Sequence, residues 1–473
     1  MLRDRVFRSW TARLASLLAA GAISLLAVGC GEPAPEGHDL DSFPVDHIIV
    51  IYLENHAFDS LYGGFPGARG RNEPGAMVEQ VNTSGESYAR LPQPLNEGSP
   101  HNPLRPLGPD ERFPTDLPNS PFPINKYAPL DQRTAAPIHR FYQYQLQTNG
   151  GKMNRFVAYS NAGGLTMGCN ETQKLPLYPY AREYTLADNY FTGALGESML
   201  NHFWLFCACT PVWKNAPANI VAQPEYDSSG KLTGLKKDGE VTPDGYVVND
   251  VQPYYEPHKP GLPEDKRMPP QTLPTIGDRL DSADVSWKWY AGGWDKAIAG
   301  EGFSGQHPAP VYFKQFGDGT AAKREHLKDE ADFRAALREG NLPSVSFINQ
   351  LGVYSEHAGS SNILQSEEHA VELIEDVKRS SYWDRSAIII TYDDYGGWFD
   401  HVPPPKLDRW GPGGRVPALI ISPHAKKGFV DHTQYNTTSI LKFIEWRHGL
   451  KPLGKRDAEA NNLLPAFQTG DEH

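Results

Sequence analysis

Five short runs of apolar, largely β-branched residues punctuate the chain, at 45–53, 285–290, 344–348, 387–392 and 416–421. They lack the in-out alternation of a half-exposed strand. Such runs read as strands buried on both faces, the pattern of a parallel sheet covered by helices. Other segments place apolar residues at helical spacing. The stretch 138–160 does so with an interruption at Gly150-Gly151, 366–380 does so with Ala370, Val371, Ile374 and Val377, and 438–447 with Ile440, Leu441 and Ile444. Strands alternating with helices predict an α/β fold with a central, mostly parallel sheet flanked by helices. Two stretches, 62–126 and 211–274, are rich in Pro, Gly, Asn and Asp and show no period. They are too long to be simple connections and are expected to be ordered excursions that wall a site.

The N-terminus has its own pattern. Arg3, Arg5, Arg8 and Arg13 precede an apolar run from Leu14 to Val28, which ends at Gly29-Cys30. A basic start, a short apolar core and small residues at its end form an export signal. The run is too short to be read as a membrane span. The Leu-Ala-Val-Gly-Cys ending resembles a lipoprotein signal, with Cys30 as the lipid-bearing first residue of the mature chain. The alternative is ordinary cleavage nearby and a soluble secreted protein. The polar stretch from Gly31 to Asp41 reads as a tether. The expected organisation is a leader at 1–29, a tether at 30–42 and a single catalytic domain at 43–465.

Charge narrows the partners. The net charge is −12, and loss of the leader would make it −15. No basic stripe appears, so nucleic acid is not an expected partner. Beyond Cys30 the cysteines are Cys169, Cys207 and Cys209. In an oxidising compartment one disulfide is expected, joining Cys169 to one of the other two.

Candidate chemistry gathers where strands end. Glu54 and Asn55 follow the first apolar run, and Asp393-Asp394 follow the run 387–392. In open α/β sheets, ligands bind beyond the carboxyl ends of strands. A carboxylate beside an amide oxygen suits a hard cation. Two adjacent carboxylates at the end of a buried strand repel each other unless a cation compensates. The alternative is a solvated acidic turn. Gly396-Gly397 permit a close turn, and Asp400-His401 add two potential ligands or proton-transfer groups. Ser198 follows the small-residue run Gly193-Ala194-Leu195-Gly196-Glu197 at the head of an apolar helical segment. There it could meet a phosphate at a helix N-terminus or serve as an N-cap. His139, His307 and His357 stand in unrelated segments, with His357 just beyond the run 344–348.

Taken together these motifs resemble the phosphoesterase family of the alkaline phosphatase superfamily, which includes bacterial phospholipases C and acid phosphatases. The resemblance is carried by Glu54-Asn55-His56-Ala57-Phe58-Asp59 and by Asp393-Asp394, Gly396-Gly397 and Asp400-His401-Val402-Pro403-Pro404. His139-Arg140-Phe141-Tyr142, Asn149-Gly150-Gly151-Lys152, Arg155-Phe156-Val157 and Ala187-Asp188-Asn189-Tyr190-Phe191 extend it from about Val45 to Trp446. Phospholipases C of the family typically place a Thr in a Thr-Gly-Thr-x-Pro-Asn-Arg context. Gly196-Glu197-Ser198-Met199-Leu200-Asn201-His202 instead resembles the acid phosphatase branch, in which a serine takes that place.

The resemblance implies an alkaline phosphatase-like fold and one divalent metal ion held by Glu54, Asn55, Asp393 and Asp394. It implies Ser198 as nucleophile, a phosphoserine intermediate, and phosphate contacts from His139, His307 and His357. The acid phosphatase pattern has a His-His pair where Gln306-His307-Pro308 offers one histidine. That departure bears on protonation of the leaving group and on substrate preference. The expected partner is a phosphate ester, and a membrane through lipid on Cys30. A phospholipase C or phosphodiesterase is the runner-up. A non-enzymatic envelope binding protein is the alternative of another class.

The leader generates the first prediction. Mass spectrometry of the mature N-terminus should find a diacylglyceryl-modified Cys30. An unmodified N-terminus beyond Cys30 would remove the membrane tether.

Overall fold

The computed structural model describes residues 42–96, 108–301 and 308–468. The leader, Cys30 and the tether up to Asp41 lie outside the described residues, and so does His307. In chain order the strands of the main sheet are β1 (His47–Leu53), β2 (Thr185–Phe191), β3 (Trp287–Ala291), β4 (Leu327–Asp329), β5 (Val345–Asn349), β6 (Ser386–Tyr392), β7 (Arg415–Ile421), β8 (Phe429–Asp431) and β9 (Tyr435–Asn436). They lie side by side in the order β4-β3-β5-β1-β6-β7-β2-β8, and β9 also pairs with β2. Every residue of β1 from Ile48 to Leu53 is buried, as its unbroken apolar run requires.

All pairings are parallel except those of β7, which runs antiparallel to both β6 and β2. The expectation of a mostly parallel α/β sheet is met, with the run 416–421 as its exception. A parallel return needs a crossover, usually through a helix. The segment 393–414 contains no helix, so β7 folds straight back on β6. A strand buried on both faces reads the same in either direction, which hides this reversal from the apolar pattern.

Five helices bear on the site or the core: α1 (Phe58–Leu61), α2 (Phe141–Thr148), α3 (Ser198–Cys207), α4 (Ile363–Arg379) and α5 (Thr437–Arg447). In α4 the Asn362 side chain caps the first turn, and Ala370, Ile374 and Val377 face the core. The expected helix over 138–160 is cut back to α2. Asn149 turns left-handed at φ 46°, and Gly150 and Gly151 follow with positive φ. The chain beyond them is irregular.

Both excursions carry ordered structure among the described residues. From the first, Leu91, Phe113, Leu117, Phe122 and Ile124 pack into a second hydrophobic cluster with Phe156, Tyr395, Trp398 and Phe399. The second contributes a hairpin, 223–226 against 232–237, and buries Val241, Val247 and Val248. The expected pairing of Cys169 is corrected here. Cys207 is bonded to Cys209 at the end of α3, and Cys169 is a buried free thiol. Its sulfur accepts a hydrogen bond from Arg71 Nη1 at 2.6 Å and faces the Phe122 carbonyl oxygen at 3.1 Å, away from both other cysteines' segment.

One buried guanidinium ties the loops that leave β1 and β6. Arg415, at the start of β7, is 1% exposed. Its Nε donates to both Asp400 oxygens at 3.0 and 3.2 Å, and its Nη2 donates to Asp59 Oδ1 at 3.1 Å. Asp59 Oδ2 accepts from the His401 backbone at 2.9 Å and from His401 Nδ1 at 2.6 Å. The Asp59 N–H closes the set on Asp400 Oδ2 at 3.0 Å. Burial pushes the Asp59 carboxyl up, but the His401 hydrogen bond and the Arg415 charge outweigh it and hold it below the usual carboxylate range. Asp400 and His401 are therefore not additional ligands of the Asp393-Asp394 site. They cluster with Asp59 closely enough to hold an ion, yet Arg415 already neutralises them.

Arg415→Met should leave Asp59 and Asp400 buried without their cation. Breaking a buried pair by removing one partner costs about 3–5 kcal/mol. Urea denaturation should show a loss of that size; a loss under about 1 kcal/mol would mean that the network does not anchor the two loops.

Candidate active site

The sheet topology brings four strand ends to one edge. β1, β5 and β6 are mutually parallel, and β2 runs the same way because the intervening β7 reverses direction twice. Glu54 and Asn55 follow β1 there, and Asp393 and Asp394 follow β6. The loop beyond β5 carries His357, and the segment beyond β2 leads through residues 192–197 into α3 and Ser198.

Backbone donors organise the carboxylates. Asp393 Oδ1 accepts from the Asn55 N–H at 3.1 Å and from the Asp394 N–H at 2.6 Å. Asp394 Oδ1 accepts from the Gly396 N–H at 2.6 Å. Asn55 itself sits at φ 68°, a left-handed conformation that asparagine tolerates better than most residues. The turn after Asp394 lies so close that a Cβ on Gly396 would stand 2.1 Å from the Asn55 carbonyl oxygen. The glycine pair is thus required by close approach as well as by its own positive φ.

The Asn55 side chain lies between the two aspartates and His357. Its amide oxygen stands 3.2 Å from Asp393 Oδ1 and 3.2 Å from Asp394 Oδ1, while its nitrogen faces His357 Nε2 at 2.8 Å. In the bare protein the opposite orientation would satisfy all three neighbours. Only a cation among them would favour the oxygen-inward orientation of the amide beside the two carboxylates. These are the donors that a hard divalent ion takes. Ser198 Oγ completes the group at 3.4 Å from Asn55 Oδ1 and 3.5 Å from Asp394 Oδ2.

The electrostatics agree. Burial, then the neighbouring Asp393, Asp250 and Asp394 charges, raise Glu54 well above the usual carboxylate range. Burial and Asp393 do the same to Asp394. Burial lifts Asp393 to about 6, against the pull of the Ser198 hydroxyl and two backbone N–H groups. Among the described residues no group plays the part that Arg415 plays for Asp59.

Ser198 is the first residue of α3, and the N-cap position belongs to Glu197, which makes no side-chain cap. The N-cap alternative for Ser198 is therefore removed. The second excursion reaches this helix start, where Asp250 Oδ1 accepts from the Met199 N–H at 3.0 Å and Glu197 Oε2 accepts from the Asp250 N–H at 2.9 Å. Arg140, next to His139, pairs with Glu197 at 3.3 Å and Glu240 at 3.3 Å. His139 Nδ1 donates to the Pro137 carbonyl at 2.8 Å and His357 Nδ1 to the Ala358 carbonyl at 2.6 Å. Both rings thereby present Nε2 to the site, with His139 Nε2 at 3.3 Å from Asn55 Nδ2 and 3.9 Å from Asp394 Oδ2.

Of the residues singled out in the sequence, Glu54, Asn55, Asp393, Asp394, Ser198, His139 and His357 converge, and His307 lies outside the described residues. Sequence reasoning missed His202, Asp250 and the role of Glu197. His202 had a usable signal, since it lies four residues beyond Ser198 on the same helix face. Glu54, His202 and Asp393 each present a ligand atom, all within 4.8 Å of one another.

The fold and site define an α/β protein with a buried serine beside a carboxylate cluster that could hold a cation. The Phosphoesterase family model matches residues 45–451, and the chain belongs to that family. Membership places it among the phosphoric ester hydrolases. It is 25% identical over 447 residues to the non-hemolytic phospholipase C of Burkholderia pseudomallei, covering 85% of this chain and 55% of that protein. It is 23% identical to phospholipase C A of Mycobacterium tuberculosis, covering 96% of this chain and 84% of that one. The chain thus spans about half the length of the Burkholderia relative and most of the mycobacterial one. A solved protein of the alkaline phosphatase superfamily from Vibrio parahaemolyticus aligns at 14% identity and a TM-score of 0.33, over 63% of this chain and 66% of that one. Among the described residues no helix is long and apolar enough to cross a membrane.

Asp393→Asn separates the two demands on this residue. The amide keeps Oδ1 for both backbone donors, so the fold should persist. Bound divalent metal, measured by elemental analysis, should fall at least tenfold. In the metal-free protein, a carboxyl raised from 3.8 to about 6 destabilises the fold by about 2–3 kcal/mol when ionised. That cost is absent below about pH 4, grows between pH 4 and 6, and is constant above. The metal-free variant should therefore melt above metal-free native protein at pH 7.5 and level with it at pH 4. Unchanged metal content, or a lower melting temperature at pH 7.5, would contradict the assignment.

Proposed function

We propose that this protein hydrolyses phosphate esters with Ser198 as nucleophile, in a site that needs one divalent cation, and that phosphomonoesters are its substrates. The reading rests on one juxtaposition: a serine hydroxyl at the start of a helix, 3.4–3.5 Å from the oxygens of Asn55 and Asp394. Glu54, Asn55, Asp393 and Asp394 would hold the ion. When bound it supplies Lewis-acid charge that stabilises a deprotonated nucleophile and the phosphoryl oxygens.

The chain's own groups do the rest. The Ser198 hydroxyl faces Asp394 Oδ2, which accepts its proton as Oγ attacks phosphorus and expels the alcohol in line. Positioned at the helix N-terminus, Oγ lies where backbone dipoles favour an anionic substrate group. In their protonated forms, His139 and His357, each held by a backbone carbonyl at Nδ1, donate from Nε2 to the phosphoryl oxygens. A protonated imidazole also serves the leaving oxygen, which favours acid conditions. Water then hydrolyses the phosphoserine, with the same groups acting in reverse. A non-enzymatic envelope binder would not require this nucleophile set against a cation site. We also propose export and attachment through lipid on Cys30.

A second reading, phospholipase C, is favoured by the names of the Burkholderia and Mycobacterium relatives. Serine in place of their typical threonine favours the monoester reading. Parallel assays on p-nitrophenyl phosphate, bis-p-nitrophenyl phosphate and phosphatidylcholine vesicles separate the two.

Ser198→Ala should reduce turnover of the preferred ester by at least 1000-fold, and Ser198→Thr should retain part of it. Because Glu197 occupies the cap position, the alanine variant should lose less than the roughly 0.5–2 kcal/mol expected of a missing cap. Acid quenching of native enzyme should trap phosphate on Ser198. Near-normal turnover by the alanine variant would leave the mechanism without its nucleophile.

A further inference from the structure

We propose that His202 is a nitrogen ligand of the cation that Glu54 and Asp393 hold, so that the centre is a mixed nitrogen–oxygen site suited to a zinc- or iron-class ion. The proposal deepens the metal-dependent reading above and rests on it.

Four observations carry it. His202 is 1% exposed and lies one helical turn beyond Ser198 on α3, so nucleophile and imidazole are fixed by the same rigid element. Its Nε2 faces Asp393 Oδ2 at 3.8 Å. That is too long for a hydrogen bond. It matches the spacing of about 3–4 Å that two donors take when each is about 2.0–2.2 Å from a shared ion. Asp393 Oδ2 has no hydrogen-bond partner among the described residues, although Asp393 is fully buried. Its other oxygen is satisfied twice by backbone N–H groups, so the orphaned oxygen is the one turned toward His202 and Glu54. The third donor, Glu54, brings the set within 4.8 Å.

The surroundings of the ring fit a ligand. Tyr52 packs edge-on at 5.1 Å and Trp289 at 6.2 Å, which fixes the imidazole plane. Asn349, the last residue of β5, lies with its Nδ2 3.4 Å from His202 Nδ1, and its Oδ1 has no hydrogen-bond partner among the described residues. Rotating that amide by 180° would let the orphaned Oδ1 accept from Nδ1–H and leave Nε2 its lone pair toward Asp393. A ligating histidine is commonly oriented in this way by a partner on its other nitrogen. Imidazole among oxygens shifts preference from magnesium or calcium toward zinc or iron.

The test uses the mature chain, stripped by chelator and titrated separately with Zn2+ and Mg2+ in competition with an indicator. His202→Ala and the bulkier His202→Gln are compared with native protein, and melting curves of the metal-free forms check folding. The expected result is a loss of zinc affinity beyond the ~10–100-fold that removal of an outer partner costs, with magnesium affinity changed less than about threefold. X-ray absorption of the zinc form should show an imidazole shell in native protein that is absent from both variants. Equal losses for the two ions, or an imidazole shell that persists in the variants, overturns the proposal and leaves the oxygen site intact. Native protein that binds neither ion overturns it together with the metal-dependent reading.

Discussion

Mutual repulsion among buried carboxylates is the constraint on which the rest of this structure depends. Glu54, Asp393 and Asp394 meet at a sheet edge from which water is largely excluded, and Asp250 and Glu197 add to the negative field. Without compensation such a cluster is costly. The backbone holds it together nonetheless. Asn55 is bent into a left-handed conformation with its N–H on Asp393, and Gly396 lets the opposing turn press against it. Local strain of this kind persists only where surrounding structure over-determines it. Here the elements that do so are β1 and β6, neighbours in the middle of the sheet.

The same two loops contain a second acidic cluster solved in the opposite way. Asp59 and Asp400 are as deeply buried as the first set, but Arg415 lies between them and His401 adds a further donor. One cluster carries its own cation; the other has no such counter-charge among the described residues and is the candidate site. Each family-like motif is therefore divided. Its first residues, Glu54-Asn55 and Asp393-Asp394, converge on the candidate site, and its later residues, Asp59 and Asp400-His401, lock the loop behind them. A fault in the guanidinium network would be felt in the geometry of the ligands, because fewer than ten residues separate the two along either loop.

The excursions serve the same edge from outside. Asn249 Oδ1 accepts from the Phe141 N–H at 2.9 Å and fixes the start of α2 just beyond His139. Its neighbour Asp250 caps the first turn of α3 beside Ser198. The first excursion supports the turn after Asp394 through Trp398 and Phe399. Long loops here hold the histidines and Ser198 in register with strand ends that come from distant parts of the chain.

The α/β class, the core strands, helices α4 and α5, and the candidate residues Glu54, Asn55, Asp393, Asp394 and Ser198 were legible in the sequence. The reason is physical: apolar periodicity reports burial, and paired acids at the end of a buried run report a local conflict that needs a counter-charge. The sequence was silent where partners come from afar. Strand β2 escaped because Asp188 and Asn189 interrupt its apolar run, and Asp188 is tolerated in the sheet only because His432 and the Arg69 N–H meet it. The reversal of β7 escaped because burial on both faces has no direction. Asp400-His401 looked like ligands because Arg415 is 15 residues away in the chain and 3.0 Å away in the fold. His202 stood in the sequence only within the stretch that resembles the acid phosphatase branch, with no role of its own. Only the tertiary structure sets its ring against Asp393 and Glu54.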